Sequence, residues 1–73
     1  LHILLVPKRA RAGIQDLTPD DADFLTDLVA SVQSLVAEYH LEPDGYRLIA
    51  NGGKYQDFPQ LHFHLISEKA VPS

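Results

Sequence analysis

Seventy-three residues, 45% apolar and 22% charged, allow one small folded domain burying roughly 60–65% of the unfolded chain's surface and exclude a disordered segment. Six Lys and Arg against ten Asp and Glu leave a net charge of −4, which argues against a general DNA or RNA binder, since such binding neutralises phosphates with clustered positive charge; one local site can still hold a nucleotide. The lack of cysteine excludes disulfides, a thiol catalyst and a thiolate metal site.

The first element, Leu1 to Val6, is a short apolar run ended by Pro7; its length and the proline favour a strand. The sequence opens inside this run without a Met, which reads as a fragment or a processed product. Lys8, Arg9, Arg11 and Gly13 then form a loop whose simplest role is a solvated turn. Thr18-Pro19-Asp20-Asp21 is a helix start: Thr18 caps free amides, Pro19 suits the first helical position, and the aspartates meet the positive end of the helix dipole. Phe24, Leu28, Val32, Leu35, Val36 and Tyr39 follow at steps of three and four, with Leu25 and Val29 widening the stripe. This predicts one amphipathic helix from Pro19 to about His40-Leu41, stopped by Pro43 and Gly45. His40 is read as a charge partner of the helix end.

Tyr46 to Ala50 has strand composition and stops at Asn51-Gly52-Gly53, a turn signal. Leu61 to Ile66 is the last predicted strand, introduced by Phe58-Pro59. The order strand, helix, strand, strand predicts an α+β fold, one long helix on a small antiparallel sheet. The domain covers 1–67, and 68–73 is a polar, loose tail. A chain this short without disulfides needs an unusually good core, a metal or a partner subunit; open sheet edges favour the partner subunit. No apolar run approaches the ~20 residues of a membrane span and no secretory signal is visible, so the expectation is a soluble, cytoplasmic chain with no membrane contact.

Chemistry concentrates in Gln60-Leu61-His62-Phe63-His64-Leu65-Ile66. Side chains alternate faces along a strand, so Gln60, His62 and His64 share one face while Leu61, Phe63 and Leu65 enter the core. Two imidazoles ~7 Å apart on one strand face suit phosphate chemistry or a metal, because one ring can attack phosphorus while its neighbour donates to the oxygens. By itself the pair is open to structural, metal-binding and catalytic readings.

The stretch resembles the signature of the histidine triad (HIT) superfamily, three histidines alternating with apolar residues and then two more apolar positions. The likeness extends to Leu1–Arg9, similar to the family strand that carries a buried histidine and ends in Pro-Lys, to the helix of Thr18–Leu41, and to Gly45–Gly53. It is nearest the nucleotide-binding Hint-like branch. The resemblance implies that His62 is the nucleophile, that His64 assists at the phosphate, and that Gln60 occupies the first triad position. It also implies that His2 supports the triad, that Asn51 contacts phosphate or sugar, and that Gln56 belongs to the substrate-binding set.

The implied reaction is attack on the α-phosphorus of a nucleoside phosphoramidate or dinucleoside polyphosphate through a nucleotidyl-histidine intermediate, by a homodimer that needs no metal or cofactor. A purine nucleotide or phosphoramidate is the implied ligand. Three features depart from the family pattern. Glutamine at 60 cannot titrate near neutral pH. The turn after Asn51 is short, with Asp57 where a small hydroxyl residue is common. The family's N-terminal hairpin has no counterpart. Two alternatives follow: a nucleotide-binding module with little catalysis, and a zinc protein using His2, His62 and His64.

Overall fold

The structure, a computed structural model, describes residues 1–69. It contains strand β1 (His2–Leu5), helix α1 (Ala22–Glu38), strand β2 (Arg47–Ala50) and strand β3 (Phe63–Ile66). The sheet order is β1-β3-β2, both pairings antiparallel, so the histidine-bearing strand is central. The predicted order and class are the observed ones.

The helix starts where Thr18 predicts, but its first turn is 3-10 (Pro19–Asp21) and α geometry begins at Ala22. Thr18 Oγ1 accepts from the Asp20 N–H at 3.2 Å, and Asp21 Oδ2 accepts from the Thr18 N–H at 2.9 Å. That reciprocal box draws the Asp21 carboxylate back over the terminus. At the other end the helix stops at Glu38, before the predicted Leu41. His40 takes the left-handed conformation at φ 53°, its N–H bonds the Ala37 carbonyl, and the Leu41 N–H reaches back to Val36 at 2.9 Å. This is a Schellman stop with histidine where glycine is usual. It seats Leu41 in the core at 0% exposure. His40 therefore ends the helix through its backbone.

The core is Leu28, Val32, Leu41, Leu61, Phe63 and Leu65, with Phe24, Leu35, Val36 and Tyr39 packed around it. Phe24 and Phe63 bring helix and sheet together, ring centroids 6.1 Å apart. Leu25 and Val29 remain exposed, so the buried stripe is narrower than the sequence suggests.

The last strand is shorter than predicted: the ladder covers Phe63–Ile66, not Leu61–Ile66. Its partners run out at Leu5 and Ala50. Beyond them lie Pro7, which has no N–H, and the Gly52-Gly53 turn. Alternating burial nevertheless continues back through Leu61. β2 likewise starts at Arg47 rather than Tyr46. Residues 67–69 are hydrogen-bonded to the domain: the Ser67 N–H bonds the Leu1 carbonyl, Ser67 Oγ donates to Gly45, and Lys69 Nζ donates to the His40 carbonyl. The rest of the expected tail, 70–73, lies outside the described residues. Among the described residues no helix is long and apolar enough to cross a membrane.

Candidate active site

Cross-strand partners share a sheet face. Ile3 and Leu48 flank Leu65, and Leu5 and Ala50 flank Phe63, on the face under the helix. His2, Leu4, His64, Ile66, Arg47 and Ile49 therefore stand on the opposite face. Alternation along the central chain adds His62 to them. The histidines face away from α1, as the sequence requires.

His62 and His64 are half-buried, their rings 4.8 Å apart and edge-on at 70°. His62 Nδ1 lies 2.7 Å from the Gln60 carbonyl oxygen. A carbonyl only accepts, so Nδ1 carries a proton and Nε2 is the nitrogen that can present a lone pair. His2 is exposed rather than buried, because it stands on the outer face of an edge strand, and its Nε2 is 2.7 Å from His64 Nδ1, centroids 4.9 Å apart. Partial burial, then the neighbouring charges of His62 and His2, hold His64 below the ordinary imidazole value.

The other expected site residues are placed as follows. Gln60 is half-buried beside His62, and its backbone carbonyl is what orients the ring. Asn51 is exposed and follows the last pair of the β2–β3 ladder, at the end of the sheet where His62 stands. Gln56 uses its amide nitrogen to hold the Ala12 carbonyl, joining its loop to the segment before the helix. Asp57 is exposed.

The zinc alternative is not supported. Among the described residues no group of three or more His, Cys, Asp or Glu is arranged to hold a metal. Two nitrogens 2.7 Å apart are closer than two tetrahedral ligands each ~2.0–2.1 Å from one zinc.

A cleft of about 230 Å³ adjoins His62, lined by Leu4, Val6, Phe58, Gln60 and Leu61. Leu4, Val6 and Phe58 are more than half exposed there. Sequence reasoning missed this wall, although Leu4 and Val6 follow His2 at steps of two and so share its face.

A HIT domain model matches residues 1–71. The chain belongs to the HIT family. This HIT domain is 36% identical over 70 residues to an adenosine 5'-monophosphoramidase of Saccharomyces cerevisiae, covering 93% of the chain and 41% of that protein. It is 36% identical over 72 residues to a bis(5'-adenosyl)-triphosphatase of Dictyostelium discoideum, covering 93% and 46%. The crystal structure of a HIT family hydrolase from Legionella pneumophila superposes with a TM-score of 0.84 at 29% identity, covering 97% of this chain and 65% of that one. The chain spans between 41% and 66% of the length of curated relatives such as these.

Proposed function

We propose that this HIT domain is a nucleotide hydrolase or transferase in which His62 Nε2 attacks the α-phosphorus of a nucleoside phosphoramidate or dinucleoside polyphosphate. The observation that carries this reading is the 2.7 Å bond from His62 Nδ1 to the Gln60 carbonyl, which leaves the Nε2 lone pair free. The Nε2–P bond forms as the bond from phosphorus to the leaving nitrogen or oxygen breaks, and the leaving group takes a proton from solvent. Water then attacks phosphorus, the Nε2–P bond breaks, and the water's proton returns to solvent as His62 and a nucleoside monophosphate are released. His2 Nε2–H donating to His64 Nδ1 turns the His64 Nε2–H toward the phosphate oxygens, where negative charge grows. Asn51 contacts phosphate or sugar from the end of β2.

The activities named for the yeast and Dictyostelium relatives support this class of substrate. Gln60 donates and accepts hydrogen bonds without changing charge, so it relays no proton and the rate falls relative to a three-histidine site. Exposed Leu25 and Val29 and the open sheet edges support a homodimer.

The test is mass spectrometry of a reaction with adenosine phosphoramidate quenched before turnover is complete. A nucleotidyl adduct is expected on His62, and His62→Ala should lose both adduct and turnover while retaining adenosine monophosphate binding, because the attack is made only in the reaction. A wild-type protein that binds nucleotide but forms neither adduct nor product would be a binding module instead.

A further inference from the structure

The carbonyl that orients His62 belongs to the peptide joining Gln60 and Leu61, which lies before the ladder of β3 begins. No strand partner holds it. Its N–H instead donates to the Arg11 carbonyl at 2.7 Å. Arg11 is itself anchored: its guanidinium meets the Asp21 carboxylate through Nε at 3.2 and 3.3 Å and Nη2 at 3.1 Å. Asp21 is 4% exposed and is fixed to the helix start by the Thr18 N–H. The next carbonyl, that of Ala12, takes the Gln56 amide.

We propose that Arg11 and Asp21 are positioning residues for the nucleophile: their ion pair holds the Arg11 carbonyl on the Leu61 N–H, and through that peptide keeps the Gln60 carbonyl aimed at His62 Nδ1. A trans peptide is planar, so fixing the direction of its N–H fixes the opposite direction of its C=O. Donation from the N–H also polarises the carbonyl and strengthens its hold on the imidazole proton. Burial of Leu61, at 0% exposure, prevents the peptide from rotating with its side chain. The helix start thus determines which ring nitrogen faces the substrate. The role in catalysis rests on the proposed function, whereas the effect on the His62 tautomer does not.

The experiment is 15N NMR of the His62 ring, with amide hydrogen exchange at Leu61, in the wild-type chain, Arg11→Met, Arg11→Lys and Asp21→Asn. Wild type should show only the Nδ1–H form when neutral. Arg11→Met should show both tautomers, at least about tenfold faster Leu61 exchange, and kcat about tenfold lower with KM within about twofold. Arg11→Lys, which keeps one charge, should recover part of each. Asp44→Asn, which removes the exposed pair with Lys69, should change none of them. A folded Arg11→Met protein with a single Nδ1–H tautomer and unchanged Leu61 exchange would overturn the proposal, and Asp21→Asn decides in the same way if Arg11→Met does not fold. An inactive wild type with the expected tautomer shifts would overturn the catalytic reading alone.

Discussion

Leu65 and Leu4 carry the same side chain on opposite faces of one sheet, and replacing each by alanine separates fold from site. Leu65 is at 0% exposure between Ile3 and Leu48, beneath the helix. Truncating a buried leucine costs about 2–5 kcal/mol, the transfer term plus the cavity left behind. A 73-residue domain at the usual ~0.05–0.15 kcal/mol per residue has only about 4–11 kcal/mol in total. Leu65→Ala should therefore lower a urea midpoint by about 2 M or more, taking a slope of ~1 kcal/mol/M for so small a chain. Leu4 is 57% exposed and lines the cleft beside His62. With less than half its surface removed from water, Leu4→Ala should cost under about 1 kcal/mol and should act on substrate binding, raising KM. Urea unfolding followed by circular dichroism, paired with phosphoramidase kinetics, measures both. Equal destabilisation by the two substitutions would refute the assignment of the sheet's faces, and with it the placement of the histidines.

Gln60→His places a titratable group beside His62 and should raise the rate of the proposed reaction or shift its pH optimum; an unchanged profile would show that this position relays no proton. The unfolded chain binds more protons than the folded one between His64's lowered value and the ordinary imidazole value, so stability should rise with pH across that window, and as pH falls it should drop there and level off below. His64→Gln should remove that step in chemical denaturation run as a pH series. At lower pH, Asp21 should contribute a second loss. The Thr18 N–H and then Arg11 hold its carboxyl below the ordinary value, so this stability is present above that value and lost as pH falls through the folded one. Sedimentation equilibrium at micromolar concentration should give twice the 8.1 kDa chain mass, and a monomer of undiminished stability would count against the dimer.

The legible parts of this protein are those in which a local rule leaves few choices. Alternation along Leu61–Leu65 has only two phases, and the apolar one must face the helix, so the outward placement of His62 and His64 was readable from the sequence. Thr18-Pro19 announced the helix start because capping is decided within four residues. The helix end was less legible, since His40 adopts a conformation usually left to glycine, held there by the burial of Leu41.

What only the tertiary structure decided are contacts between distant positions: His2 on His64 across 62 residues, Gln56 on Ala12 across 44, and Arg11 on Asp21 across ten with no helical spacing between them. Such pairs depend on strand register and on where a ladder runs out of partners. Pro7 and the Gly52-Gly53 turn end the pairing from both sides and leave the Gln60–Leu61 peptide to be held by Arg11. The residue types of the candidate site are thus written in one short strand, while the peptide whose carbonyl meets His62 is held by a loop about fifty residues away, because a backbone hydrogen bond follows spatial proximity rather than sequence order.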